Sequence, residues 1–141
     1  MTLQLYFAKP SKNLRPFFTI PIPAGTPQQI EQIVEWINID EYVRSGTEST
    51  YYLRVYGDSM EDVGIFDGDL LVVNRTESAA TGDVVIAEIA GEFTVKRFEH
   101  NSRSLHLVPA NQKYQKRQIK RQDNFAIWGV VTYILHKPRR K

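Results

Sequence analysis

From Thr50 onward the chain breaks into short stretches with a hydrophobic period of two, separated by turns built on glycine and aspartate. A period of two places alternate side chains on opposite faces of an extended backbone, the pattern of strands rather than helices. The pattern predicts strands over 51–56, 69–74, 83–89, 92–98, 105–109 and 125–135. Ala90-Gly91 sits between two of them as a two-residue hairpin, and Phe66-Asp67-Gly68-Asp69 and Ala80-Thr81-Gly82-Asp83 read as turns. Connections this tight join antiparallel neighbours, so the expected body is a compact, mostly antiparallel β fold.

The first 25 residues obey a different rule. Pro10, Pro16, Pro21 and Pro23 exclude a long helix and a central strand, leaving an extended arm. Within it, Phe17-Phe18-Thr19-Ile20-Pro21-Ile22-Pro23 is apolar and stiff, suited either to a groove or sheet edge or to an ordered strand of its own. Thr26, Pro27 and Gln29 have the order of an N-cap, a first-turn proline and a capping box, and Ile30, Ile33, Val34 and Ile37 follow at helical spacing. This predicts a short helix, with Asp40–Arg44 adding a further turn.

With 141 residues the chain suffices for one domain with appendages. No apolar run approaches the roughly 18 residues of a membrane span, and the first twenty residues lack the apolar stretch of a secretory signal. The expected location is the cytoplasm, with no membrane contact. The absence of cysteine excludes disulfides, thiolate metal sites and cysteine nucleophiles. His100, His106 and His136 are scattered without paired-ligand spacing, and no phosphate-binding glycine loop occurs, so neither metal nor cofactor is expected. The net charge of +2 conceals a split: residues 1–95 carry 6 basic and 14 acidic side chains, and residues 96–141 carry 12 basic and 2 acidic. Such asymmetry suits an acidic partner, pairing of two copies, or simply a solvated basic face. Lys113, Tyr114, Lys116, Arg117, Lys120 and Arg121 could contact nucleic acid, although direct binding is not the expectation.

Two residues carry candidate chemistry. Ser59 stands where a strand gives way through Gly57-Asp58, a place that can expose a hydroxyl beside free backbone N–H groups; a serine there can equally be a simple turn cap. Lys96 lies in Glu92-Phe93-Thr94-Val95-Lys96-Arg97-Phe98, where alternation sets it on one face with Thr94 and Phe98. It is either an ordinary exposed strand lysine or a base. The second requires burial, because at the unperturbed pKa of about 10.4 only roughly one lysine in a few thousand is neutral at pH 7. Phe98 is a candidate wall and Thr94 a candidate orienting hydroxyl.

Val55-Tyr56-Gly57-Asp58-Ser59-Met60, Phe66-Asp67-Gly68-Asp69-Leu70-Leu71-Val72, Gly82-Asp83-Val84-Val85-Ile86-Ala87 and Gly91-Glu92-Phe93-Thr94-Val95-Lys96-Arg97, in this order and spacing, resemble the LexA/UmuD family of self-cleaving serine peptidases. Leu107-Val108-Pro109-Ala110-Asn111 and Ile127-Trp128-Gly129-Val130-Val131 look like its later strands. The resemblance implies the fold of that family's C-terminal domain, with Ser59 as nucleophile, Lys96 as general base and Ala24-Gly25 as the scissile pair. It divides the chain into a self-cleavage arm, residues 1–24, and a peptidase and dimerisation domain, residues 25–141. Twenty-four residues are too few for the helix-turn-helix domain of the repressors, so the likeness is to the UmuD branch. That branch implies an SOS-response protein whose self-cleavage is stimulated by a RecA–DNA filament. Its processed homodimer serves an error-prone Y-family polymerase of the UmuC kind in translesion synthesis. The alternative is a dimeric interaction module that regulates a DNA polymerase without cleaving itself.

Overall fold

The structure, a computed structural model, describes residues 13–29, 34–44 and 46–138. It divides into two compact units between Ser45 and Gly46. In the first, β1 (Arg15–Phe18) and β2 (Val34–Ile37) pair antiparallel, with Arg15 opposite Ile37 and Phe18 opposite Val34. Of the apolar stretch 17–23, only Phe17 and Phe18 lie in a strand, and residues 19–23 are irregular.

The helix expected from Thr26 is not found. Residues 26–29 form no helix, Ile30 and Ile33 lie outside the described residues, and Val34 and Ile37 belong to a strand. The helical spacing was carried only by isoleucine and valine, whose branched Cβ atoms favour a pleated backbone as soon as a partner strand is present. β1 is that partner. The helix starts later, as α1 (Ile39–Arg44), and it is the Asn38 side chain that caps it by accepting from the Glu41 N–H at 3.1 Å. Arg44 closes back on Asp40 at 2.8 Å, one turn away.

The second unit is one seven-stranded sheet of β3 (Thr50–Arg54), β4 (Leu70–Asn74), β5 (Val84–Ile89), β6 (Glu92–His100), β7 (Leu105–Val108), β8 (Arg117–Ile119) and β9 (Phe125–Leu135). The spatial order is β3-β4-β9-β5-β6-β7-β8, with every pair antiparallel. Strand β8 escaped the sequence reading because its three residues, Arg117, Gln118 and Ile119, carry no alternation. The turns follow their chemistry. Ala90 (φ 50°) and Gly91 (φ 82°) both take the left-handed conformation that a two-residue hairpin between β5 and β6 demands. In the turns before β4 and β5, Asp69 and Asp83 accept from the N–H three residues upstream, of Phe66 and Ala80, each at 2.8 Å.

Two clusters form the core. Met60, Ile65, Leu71, Val73, Ile86 and Ala110 make one, and Val85, Ala87, Phe98, Leu107 and Val130 the other. Because Ile86 joins the first while its strand neighbours Val85 and Ala87 join the second, opposite faces of the sheet are both covered. Strand β9, between β4 and β5, is bent by two bulges. The register skips at Trp128 opposite β5 and at Thr132 opposite β4.

Candidate active site

Strand β3 ends at Arg54, and the chain turns through Gly57-Asp58-Ser59-Met60 into a single 3₁₀ turn, Glu61–Val63. Met60 is buried in the first core cluster and anchors this turn from below. Gly57, at φ 97°, occupies a conformation costly for any other residue, and its N–H is held by the Asp67 carboxylate at 2.8 Å. Ser59 is left half-buried.

Lys96 arrives from the middle of β6, paired opposite Val85. Its Nζ lies 3.1 Å from the Ser59 Oγ, 3.1 Å from the Thr94 Oγ1 and 3.1 Å from the Val95 carbonyl oxygen. An ammonium has three N–H donors, and here three oxygens receive them. After loss of a proton, Thr94 and Val95 can keep the two remaining N–H bonds while the lone pair faces the serine hydroxyl. The lysine is half-buried, and burial pushes its pKa below the ordinary lysine value, which raises the neutral fraction a base needs. Thr94, set by strand alternation on the same face as Lys96, thus supplies one of the three oxygens around the Nζ. Phe98 is not a wall of the clefts at this pair; it is buried in the second core cluster, while Phe93 lines them.

A cleft of about 540 Å³ opens beside Ser59, lined by Leu53, Val55, Tyr56, Phe93, Val95 and Trp128. Trp128 reaches it from the bulge in β9. Its indole is met edge-on by Tyr51 at 5.3 Å and by Phe93 at 6.2 Å, and Arg75 stacks over it at 4.4 Å. A second, more polar cleft reaches Lys96 and includes Glu92, Gln115 and Arg117.

The loop between β7 and β8, distant in sequence, packs onto the Ser59 turn. The Ala110 N–H donates to the Ser59 carbonyl at 2.7 Å, the Asn111 amide to the Asp58 carbonyl at 2.7 Å, and the Tyr114 hydroxyl to the Asp58 carboxylate at 2.5 Å. Lys113 lies 3.5 Å from the same carboxylate. The Tyr114 hydrogen bond, followed by the Lys113 charge, holds the Asp58 carboxyl below its ordinary pKa, and the same bond raises that of Tyr114. No spacing rule joins residues fifty positions apart, so this contact could not be read from the chain. Lys113 and Tyr114 thus face Asp58, and Arg117 lies 3.5 Å from Asp123.

Ala24 and Gly25 belong to the first unit, where they are exposed in an irregular bend between β1 and β2. Among the described residues no group of three or more ligand-type side chains is arranged for a metal, and no helix is long and apolar enough to cross a membrane.

Residues 16–132 match the family described as Peptidase S24-like. The chain is 37% identical over 132 residues to Protein SamA of Salmonella typhimurium, covering 93% of this chain and 91% of that protein. It is 41% identical over 122 residues to Protein MucA of Escherichia coli, covering 85% and 83% respectively. LexA repressor 2 of Pseudomonas syringae pv. tomato shares 48% over 87 residues, 62% of this chain but 43% of that repressor.

Proposed function

We propose, for a chain that belongs to the Peptidase S24-like family as a UmuD-like member, that it cleaves itself between Ala24 and Gly25 with Ser59 as nucleophile and Lys96 as general base. The observation that carries this reading is the 3.1 Å approach of the Lys96 Nζ to the Ser59 Oγ, with burial favouring the neutral amine. Neutral Lys96 removes the Ser59 proton, and the Oγ attacks the Ala24 carbonyl carbon. The ammonium so formed returns a proton to the departing Gly25 nitrogen, leaving an acyl-enzyme that water hydrolyses. Negative charge on the tetrahedral intermediate is met by backbone N–H groups of the Ser59 turn.

The substrate side supports the same reading. Ala24 is small, Gly25 has no neighbouring atom within 4 Å of where a Cβ would stand, and both lie outside regular structure. Ile20, Pro21, Ile22 and Pro23 precede them as an apolar stretch suited to a cleft walled by Leu53, Phe93 and Trp128. Pro23 has no N–H, so if the arm docks as an added strand it does so without a hydrogen bond at that position. Because the substrate is part of the same polypeptide, effective concentration replaces affinity and each chain reacts once.

In the cell, the proposed role is that of a cytoplasmic SOS-response protein. A RecA–DNA filament accelerates the cleavage, and the shortened homodimer serves as accessory subunit to a UmuC-like Y-family polymerase. Adding RecA assembled on single-stranded DNA to the wild type and to Ser59→Ala tests this. Faster shortening of the wild type alone, followed by co-purification of the product with such a polymerase, is the expected result. Polymerase binding without any shortening would favour the non-cleaving interaction module instead.

A further inference from the structure

We infer that the Ala110–Tyr114 loop is a clamp that aims the backbone of the Ser59 turn, with Tyr114 and Asn111 as positioning residues. The inference rests on the reading of Ser59 as nucleophile. It begins from peptide geometry: in a trans peptide the C=O and the following N–H point in opposite directions. The Asp58 carbonyl is held by the Asn111 amide and the Ser59 carbonyl by the Ala110 N–H, each at 2.7 Å. Fixing these two carbonyls toward the loop turns the N–H groups of Ser59 and Met60 away from it. Among the described residues, neither of those N–H groups has a hydrogen-bond acceptor. They are thus left available for charge that develops beside the Ser59 Oγ.

Tyr114 secures the same turn through a side chain. Its hydroxyl donates to the Asp58 carboxylate, and a charge-assisted bond of this kind restrains the residue immediately before the nucleophile. Asn111 has a second task, since its Oδ1 accepts from the Lys113 N–H at 3.0 Å and so shapes the loop that presents Tyr114. The Asp62 N–H donates back to the Ala110 carbonyl at 2.7 Å, which ties the far side of the turn to the loop as well. Neither Tyr114 nor Asn111 contacts Lys96 in these bonds. Their loss should therefore slow the reaction without moving the pH at which the base titrates.

The test uses the full chain and two readouts: the pH profile of self-cleavage, and the rate at which a small alkyl fluorophosphonate labels Ser59. Labelling joins the Ser59 Oγ to phosphorus and expels fluoride, with the serine proton passing to Lys96, so it needs the turn but not the arm. Tyr114→Phe and Asn111→Ala are expected to lower both the limiting cleavage rate and the labelling rate about tenfold or more, with the midpoint of the profile unchanged. Lys116→Ala, an exposed neighbour, serves as control. Rates are compared at a temperature where circular dichroism shows each variant fully folded. If Tyr114→Phe cleaves and labels as fast as wild type, or merely melts lower at an unchanged rate, the clamp is structural and the inference is overturned. A wild type that neither shortens nor labels overturns the reading of Ser59 and this inference with it; a reactive wild type beside equally reactive variants overturns the inference alone.

Discussion

Gly129 offers the sharpest quantitative prediction. It sits in β9 opposite Ile86, next to the bulge that sends Trp128 into the cleft. A Cβ built there would lie 2.5 Å from Val73 Cγ1 and 3.2 Å from the Asn74 carbonyl oxygen. Carbon atoms prefer about 3.5 to 4.0 Å, so the Gly129→Ala variant must absorb an overlap of roughly 1 Å or more. Val73 is completely buried and branched at Cβ, and its strand is paired on both sides, so neither rotation nor retreat is easy. Overpacking of this kind costs about 1 to 3 kcal/mol. Restricting the unfolded chain returns about 0.4 to 1 kcal/mol, because the glycine lies outside the left-handed region. The net expectation is a loss centred on about 1.3 kcal/mol, within about 0 to 2.6 kcal/mol, and a fall in Tm of roughly 5 to 10 °C at that centre for a domain of about 100 residues. Thermal melts followed by circular dichroism read it directly. Val73→Ala removes the obstructing methyl, so the double variant should be more stable than the sum of the two single losses by about 1 kcal/mol. A Gly129→Ala chain that melts at or above wild type, or strictly additive losses, would refute the steric argument.

Three further outcomes are expected. Burial lowers the Lys96 pKa in the folded state, so between the folded and unfolded values the unfolded chain holds more protons. Stability should then rise with pH through that window, and the rise should be absent in Lys96→Met; parallel urea titrations at several alkaline pH values compare the two. Thr94→Val removes an oxygen 3.1 Å from the Nζ, which takes a hydrogen bond from the charged form and frees the amine to wander. The midpoint of the pH–rate profile should move down and the limiting rate fall about tenfold. Ala90 holds φ 50° in the hairpin, where a left-handed alanine costs about 1 to 2 kcal/mol relative to its preferred region. Ala90→Asn, better suited to that conformation, should add about 0.5 to 1 kcal/mol, measured by chemical denaturation.

The fold was legible wherever local chemistry and final structure agree. The alternation in 84–89 and 92–98 and the Ala90-Gly91 punctuation place a hairpin that exists as expected, because such pairing needs only neighbours in sequence. Val34–Ile37 was misread because its partner, β1, lies sixteen or more residues upstream, and a spacing pattern does not record who is opposite. Ser59 and Lys96, which lie 3.1 Å apart, are singled out by likeness to a family rather than by any local rule, since each alone is an ordinary turn serine or strand lysine. Alternation did place Thr94 beside Lys96. It could not give the register that carries Asn111 and Tyr114 onto Asp58, because that contact depends on where β7 ends in space relative to β3.

The most direct trial is the intact mass of the purified full chain before and after incubation near pH 9 to 10, beside Ser59→Ala and Lys96→Ala. The expected spectrum shows wild type converted to two pieces that join at Ala24 and Gly25, with both variants whole. Wild type that stays whole, a break elsewhere, or variants that shorten at the wild-type rate would contradict a Ser59–Lys96 self-cleaving pair.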